Sequence, residues 1–133
     1  MKNAIRHICL ADDDSDDYLL FSSSLEDIDN TVQFTWCSTG EKLLEFLRTT
    51  TELPDLILLD LNMPTMDGPT CLKKLKADPA FSHVPVVMFS TASSPAIVKQ
   101  VEENGALKYV LKPHSIAGYK EIILDLLSIN MGY

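Results

Sequence analysis

Five short segments of the chain are rich in apolar residues, and the stretch after each one has apolar residues every three or four positions. Short apolar runs bounded by turn-forming residues predict strands, whereas the longer spacing predicts amphipathic helices. The predicted strands are residues 5–11, 31–37, 56–59, 84–89 and 108–111. The order is therefore strand then helix, repeated five times. That order favours an α/β fold with one parallel sheet and helices on both faces.

The predicted helices begin at recognisable capping signals. Asp14 or Ser15 is placed to cap the first helix, and Asp16 and Asp17 are expected in its first turn. Acids in a first turn favour the positive end of the helix dipole, which accounts for Asp16 and Asp17 without a role in chemistry. Residues 38–41 have the Ser-x-x-Glu spacing of a capping box ahead of the second helix. The last helix follows a serine and is predicted to bury Ile116, Tyr119, Ile123 and Leu126.

The third predicted strand, residues 56–59, is apolar at every position and ends on Asp60. This pattern is typical of the centre of a parallel sheet, where helices cover both faces. In open α/β sheets, ligands bind at the carboxyl ends of the strands. Four of the five predicted strands end on polar residues, which are Asp12 and Asp13, Asp60, Ser90 and Thr91, and Lys112. These side chains are expected to meet at one edge of the sheet.

Length and charge narrow the class of protein. The 133 residues fit a single domain, residues 1–133, with a sizeable core. The net charge of −8 argues against nucleic-acid binding, because affinity for phosphate backbones comes from clustered Lys and Arg. No apolar stretch approaches the roughly 18 residues of a membrane-spanning helix, and the N-terminus lacks a signal-peptide pattern. A cytoplasmic location away from membranes is therefore expected. Cys9, Cys37 and Cys71 have no metal-binding spacing, so buried free thiols are expected.

The acids at the predicted strand ends require a cation. Two carboxylates about 4 Å apart repel by about 4 kcal/mol at an effective dielectric of about 20. Mg²⁺ is the natural partner, because carboxylates, water and a phosphoryl oxygen satisfy it. Lys112 supplies a second positive charge and Ser90 a hydrogen-bond donor, which together equip Asp60 as a nucleophile toward phosphorus. The expected product is an aspartyl phosphate at Asp60.

Four segments of the chain form a recognisable set. They are residues 8–14 (ICLADDD), 55–64 (DLILLDLNMP) followed by Asp67 and Gly68, 84–90 (VPVVMFS) and 105–113 (GALKYVLKP). In order and spacing, this set resembles the response regulator receiver domains of two-component signalling, over essentially the whole chain. The resemblance implies a flavodoxin-like, doubly wound sheet of five parallel strands. It also implies a stand-alone receiver similar to the chemotaxis regulators.

The resemblance further implies which residues bind metal and phosphate. Asp60 matches the phosphoacceptor. Asp12 and Asp13 match an acidic pair, of which Asp13 is expected to bind Mg²⁺ directly and Asp12 through water. The backbone carbonyl of Asn62 is expected to complete the metal shell.

Three further residues match the family's switching machinery. Ser90 matches the switch hydroxyl, Tyr109 the aromatic residue that changes rotamer on activation, and Lys112 the active-site lysine. By the same resemblance, the bond between Lys112 and Pro113 is expected to be cis and to aim the lysine inward.

The chain also departs from the family pattern after the fourth and fifth strands. Thr91 stands where the family usually has Ala or another small residue, and Ala92 follows where charged residues are frequent. His114 replaces a common Phe after Lys-Pro. These differences affect the expected lifetime of the phosphoryl group, and leave the acceptor unchanged.

The function implied by the resemblance is that of a phosphoacceptor in a two-component phosphorelay. A sensor histidine kinase or a histidine phosphotransfer protein is expected to donate the phosphoryl group to Asp60. The signal is then expected to pass to an unknown downstream protein by direct contact. The chain is not expected to be an enzyme beyond its own phosphotransfer and dephosphorylation, and formation of a homodimer on activation stays open.

Other interpretations of the acids are less favoured. An aspartyl-nucleophile phosphohydrolase is the alternative function, but such enzymes commonly carry a second Asp two residues after the first, where this chain has Asn62. A flavin carrier is disfavoured because the acids after the first strand repel a flavin phosphate. An EF-hand loop requires Gly where Asp17 stands. A purely structural pair of Asp60 with Lys112 is disfavoured because buried ion pairs stabilise weakly.

Overall fold

The computed structural model describes residues 4–91 and 94–129, and its strands and helices alternate along the chain as predicted. The strands are β1 (His7–Ala11), β2 (Gln33–Cys37), β3 (Leu56–Leu59), β4 (Val86–Ser90) and β5 (Lys108–Leu111). The helices are α1 (Ser15–Ile28), α2 (Gly40–Thr49), α3 (Gly68–Ala77), α4 (Pro95–Glu103) and α5 (Ile116–Leu127). The strands form one parallel sheet in the order β2-β1-β3-β4-β5. The predicted doubly wound, flavodoxin-like α/β fold is confirmed.

Each face of the sheet carries its own apolar core. Along β3, Ile57 and Leu59 belong to one core and Leu56 and Leu58 to the other, because successive strand residues point to opposite faces. The first core packs α2, α3 and α4 against one face, and the second packs α1 and α5 against the other. The four side chains of β3 are fully buried. The central position predicted for this strand is therefore confirmed.

The start of α2 differs from the predicted capping box. The N-cap is Thr39 rather than Ser38, and its hydroxyl accepts a hydrogen bond from the N–H of Lys42 at 3.0 Å. Glu41 instead accepts a hydrogen bond from the hydroxyl of Thr65 at 2.7 Å. Ser38 and Thr39 both have a side-chain hydroxyl that can cap a helix, and Thr39 is the one that does so. The cap of α1 is Asp14, one of the two residues predicted for it.

Four other local expectations were wrong. The strand β1 begins at His7, two residues later than predicted, because the N–H of Arg6 donates to the side-chain carboxylate of Asp55 instead of to a neighbouring strand. The strand β2 begins two residues later than predicted, because the N–H of Thr31 donates to the carboxylate of Asp29 in the preceding turn. The strand β4 also begins two residues later, after Pro85, which has no N–H for the sheet ladder. Ile116 lies in the first turn of α5 and is 59% exposed, whereas the other residues predicted for that face are buried.

The cysteines have the environment that the sequence predicted. Cys9, Cys37 and Cys71 are buried free thiols, and the Sγ atoms of Cys9 and Cys37 lie 3.9 Å apart. Within residues 4–91 and 94–129, no helix has the length and apolarity needed to cross a membrane.

Candidate functional site

Backbone hydrogen bonds continue the strand pairing past the ends of the strands and fix the polar residues that follow. The N–H of Asp12 donates to the last carbonyl of β2 at 3.0 Å, and the N–H of Asp60 donates to the last carbonyl of β1 at 2.9 Å. The N–H of Lys112 donates to the last carbonyl of β4 at 2.8 Å. The three residues are thereby held at one edge of the sheet, as the parallel topology predicts.

Asp12, Asp13 and Asp60 form a cluster of carboxylates at this edge. Each offers one oxygen, and these oxygens lie within 4.8 Å of one another. Asp12 and Asp60 are buried and Asp13 is exposed. Oδ2 of Asp12 is buried with no hydrogen bond of suitable angle from the described residues, and its close contact is the ion pair with Nζ of Lys112 at 2.8 Å. Oδ1 of Asp60 accepts a long hydrogen bond, 3.4 Å, from the N–H of the exposed Asn62. Hard oxygen donors with incompletely used acceptor capacity fit a hard divalent cation.

Lys112 places a buried positive charge beside these acids. Its side chain is 5% exposed, and Nζ lies 2.8 Å from Oδ2 of Asp12 and 3.4 Å from Oδ2 of Asp60. Nζ also lies 5.7 Å from the centre of the Phe89 ring, within range of a cation–π contact. The lysine therefore faces inward as expected. The predicted cis bond before Pro113 was wrong, because no peptide bond among the described residues is cis. A trans bond is compatible with the inward lysine, since the N–H of Lys112 continues the pairing with β4 while its ammonium contacts Asp12 and Asp17.

Burial and mutual proximity shift the pKa values of these groups. Burial raises the pKa of Asp12 to about 7 and also raises that of Asp60, although the Lys112 ammonium opposes both shifts. Burial lowers the pKa of Lys112, but the carboxylates of Asp12, Asp17 and Asp60 outweigh it and raise the pKa overall. Burial therefore disfavours the charged forms of Asp12 and Asp60, while the lysine keeps its proton. Such a site gains from an added cation.

The shortest contact of Lys112 is with a residue that was given no role in chemistry. Nζ lies 2.6 Å from Oδ2 of Asp17, and Oδ1 of Asp17 accepts a hydrogen bond from the hydroxyl of Tyr119 at 3.1 Å. The interpretation of Asp17 as a helix-dipole acid alone was therefore wrong. A signal was present in the sequence, because Asp17 lies four residues before Phe21 and so shares the buried face of α1. Asp16, one position earlier, is exposed.

The other residues that the sequence singled out occupy different environments around the site. Ser90 is buried at the end of β4, and Tyr109 is half-buried in β5 against the core that includes α4. Thr91 and His114 are exposed. Ala92 lies outside the described residues. The roles assigned to these residues stay predictions.

Two further residues, which were given no chemical role, support the backbone around the acids. The indole N–H of Trp36 donates to the backbone carbonyl of Asp12 at 2.7 Å. The N–H of Gly68, the first residue of α3, donates to the carbonyl of Leu61 at 2.8 Å. A Cβ atom at Gly68 would lie 2.3 Å from the carbonyl oxygen of Asp60. The close approach of α3 to the backbone of Asp60 therefore requires glycine.

Comparison with known protein families agrees with this geometry. The sequence model for the response regulator receiver domain matches residues 8–123, most of the chain and all of the site. The chain belongs to this family. Receiver domains are signalling proteins of two-component systems, so the resemblance stated from the sequence is confirmed.

Individual receiver proteins are similar over nearly the full length of the chain. The two-component response regulator ORR8 of Oryza sativa subsp. indica is 30% identical over 117 residues, covering 88% of this chain and 94% of that protein. The crystal structure of the phosphorylated cyanobacterial phytochrome response regulator RcpA is 26% identical, with a TM-score of 0.84 over 92% of this chain and 91% of that one. The Mn²⁺-bound response regulator Rcp1 is 25% identical, with a TM-score of 0.78 over 92% and 95%.

Several other relatives are longer than this receiver chain. It spans 57% of the response regulator ARR9 of Arabidopsis thaliana and 14% of the response regulator PleD of Caulobacter vibrioides. The activities of those whole proteins therefore do not transfer to this chain.

Proposed function

We propose that this receiver domain accepts a phosphoryl group on Asp60 in a Mg²⁺-dependent reaction. The observation that supports this most directly is the position of the Asp60 carboxylate. It lies in a cluster with Asp12 and Asp13 and 3.4 Å from the Lys112 ammonium. An acid so placed has a site for a cation on one side and a fixed positive charge beside it.

The transfer step forms one bond and breaks another. An oxygen of the Asp60 carboxylate forms a bond to phosphorus, the bond from phosphorus to the donor atom breaks, and its electron pair leaves with the donor. The ammonium of Lys112 is close enough to Asp60 to contact the phosphoryl oxygens. Ser90 supplies a hydroxyl at the end of β4, the strand next to β3. Held by Asp12, Asp13, Asp60 and the backbone carbonyl of Asn62, Mg²⁺ would supply further positive charge to the phosphoryl oxygens.

The donor in this proposal is a sensor histidine kinase or a histidine phosphotransfer protein. Because RcpA is a phytochrome response regulator, a phytochrome-type kinase is the first donor to test. The added charge, about −1.5 to −2 for a phosphoryl group, then draws Ser90 toward it and lets Tyr109 turn inward. A change at β5 and the helices beside it passes the signal to a downstream protein by direct contact.

The test is phosphorylation by acetyl phosphate with Mg²⁺, followed by intact mass. We expect the parent protein to gain one phosphoryl group that hydroxylamine removes, as an acyl phosphate requires. Asp60→Asn is expected to gain none. The exposed Asp16 provides the matched control, since Asp16→Asn makes the same chemical change outside the site.

Two results would contradict the proposal. Labelling of Asp60→Asn to the level of the parent would place the acceptor elsewhere. Sustained release of phosphate from small phosphate esters, with no labelled protein, would favour the phosphohydrolase alternative.

A further inference from the structure

The Asp17 carboxylate bridges two buried side chains from different parts of the fold. Its Oδ2 lies 2.6 Å from Nζ of Lys112, and its Oδ1 accepts a hydrogen bond from the hydroxyl of Tyr119 at 3.1 Å. The Lys112 side chain is 5% exposed and Tyr119 is 1% exposed. A charge-assisted hydrogen bond of this length in a partly buried setting is among the stronger contacts a lysine makes.

Asp17 and Asp60 both lie near the ammonium of Lys112, so the two carboxylates can compete for it. Nζ of Lys112 is 2.6 Å from Asp17 but 3.4 Å from Oδ2 of Asp60. Asp17 is not part of the carboxylate cluster of Asp12, Asp13 and Asp60. In the part of the chain that the structure describes, the carboxylate of Asp17 contacts the Lys112 ammonium and the Tyr119 hydroxyl. Asp12, at 2.8 Å, and Asp17 are both nearer to the ammonium than Asp60 is, and of these two only Asp17 lies outside the carboxylate cluster.

We propose that Asp17 holds Lys112 in the resting protein and competes with the phosphoryl group on Asp60 for its ammonium. This inference rests on the proposed function. When the Asp60 oxygen bonds to phosphorus and the donor leaves with its electron pair, the new group carries about −1.5 to −2 charges. Lys112 then exchanges its contact with Asp17 for a phosphoryl oxygen. Asp17 is thus a positioning residue that opposes loading of the acceptor.

The exchange also has a consequence for the second partner of Asp17. Asp17 lies on α1, Lys112 follows β5 and Tyr119 lies on α5. While Lys112 is bound, the carboxylate ties these three elements together. Release of Lys112 leaves Tyr119 as the remaining anchor of Asp17, so the packing of α1 against α5 senses the state of Asp60.

The substitution Asp17→Asn tests the competition with little change of shape. The amide oxygen can still accept the hydrogen bond from Tyr119, while the negative charge facing Lys112 is removed. We expect Asp17→Asn to be phosphorylated by acetyl phosphate and Mg²⁺ about threefold faster or more, because a charge-assisted hydrogen bond no longer restrains the lysine. Asp16→Asn removes the same charge one residue earlier, on an exposed position, and is expected to stay within about twofold of the parent.

A second variant leaves the charge of Asp17 in place. Tyr119→Phe removes only the hydroxyl that anchors the far side of its carboxylate. The loosened Asp17 should hold Lys112 less firmly, so we expect a smaller acceleration in the same direction. A slower reaction in both variants would mean that Asp17 helps to place Lys112 for the reaction, which overturns the proposed competition.

NMR of the Lys112 side-chain nitrogen, with its resonance assigned by its loss in Lys112→Gln, shows whether Lys112 leaves Asp17 on phosphorylation or stays bound to it. In the resting protein, Asp17→Asn should shift this resonance clearly, because the nearest partner changes. In the phosphorylated protein the same substitution should shift it little, because Lys112 has already left Asp17. Equal shifts in both states would show that the contact persists, and would overturn the inference.

The outcomes also separate this inference from the proposed function. If the parent protein is labelled on Asp60 and Asp17→Asn reacts no faster, only the competition is wrong. If the parent is not labelled, or Asp60→Asn is labelled equally, both proposals are wrong together.

Discussion

Single residues at the site are arranged so that negative charge exceeds positive charge. Asp12, Asp17 and Asp60 lie within 3.4 Å of Nζ of Lys112, and Asp13 brings the number of carboxylates around the site to four. Burial raises the pKa of Asp12 and of Asp60, and the single ammonium of Lys112 offsets this effect only in part. The same excess of charge makes a cation favourable and a phosphoryl group unfavourable until that cation is bound.

His7, at the start of β1, gives a prediction about pH and stability. Its Nε2 pairs with the hydroxyl of Thr35 at 2.8 Å, and its ring packs edge-on against Phe46. Burial lowers the pKa of His7 below its usual 6.5, although the charges of Asp55 and Glu52 oppose the shift. The unfolded chain therefore binds this proton more readily. Stability from His7 is complete above the unfolded pKa, and it is lost as the pH falls from there through the lower folded pKa.

The measurement is the free energy of unfolding in urea at about pH 7.5 and about pH 5.5. We expect His7→Gln to lose less stability than the parent over this interval. His83 is exposed, so His83→Gln should retain the full pH dependence of the parent. The raised pKa of Asp12 makes its contribution to stability fall as pH rises, opposite to that of His7. Because all the variants keep Asp12, comparing them isolates the effect of His7. An unchanged pH dependence in His7→Gln would contradict the prediction.

At the scale of elements, the junction between β3 and α3 positions Asp60. The first residue of α3, Gly68, packs against the backbone of Asp60 and Leu61, where a Cβ would meet atoms at 2.3 and 2.8 Å. We expect Gly68→Ala to destabilise the protein by about 1–3 kcal/mol, because backbone atoms cannot move aside as a side chain can. Displacement of Asp60 should also slow its phosphorylation. Urea unfolding and acetyl phosphate labelling measure the two effects.

Gly40 provides the matched control for this prediction. It is also a buried glycine at the first position of a helix, but the atoms nearest to its added Cβ belong to the flexible side chain of Met66, at 3.1 Å or more. Gly40→Ala is expected to be neutral or stabilising, since Ala is favoured over Gly in helices. Similar losses in both variants would mean that the approach to Asp60 is not the cause.

Elements with a pattern of their own could be predicted from the sequence, and contacts between elements only in part. The strand Leu56–Leu59 is apolar at every position, so its place at the centre of the sheet could be predicted from the sequence. The meeting of Asp12, Asp60 and Lys112 followed as well, because parallel strands end at one edge. Asp17 was missed because the helix dipole offered a sufficient local reason for its position. Its partners Lys112 and Tyr119 lie 95 and 102 residues away, beyond any local pattern.

At the scale of the whole molecule, the fold joins distant parts of the chain into one charged edge. Asp12 and Asp13 follow β1, Asp60 follows β3, and the two strands are neighbours in the sheet. Trp36, the single tryptophan of the chain, reports on this edge, because its indole N–H donates to the carbonyl of Asp12 at 2.7 Å. A cation bound there should therefore alter tryptophan fluorescence.

Mg²⁺ should accordingly stabilise the folded protein, since the unfolded chain does not hold these carboxylates together. At about ten times its dissociation constant, the gain is about 1.4 kcal/mol in the free energy of unfolding. Asp13 is exposed, so Asp13→Asn should fold normally and lose both this gain and the fluorescence change. NaCl at matched ionic strength separates binding from screening of the net charge of −8. If NaCl stabilises the protein as much as MgCl₂ does, or if Asp13→Asn responds like the parent, the carboxylate cluster does not bind Mg²⁺ as proposed.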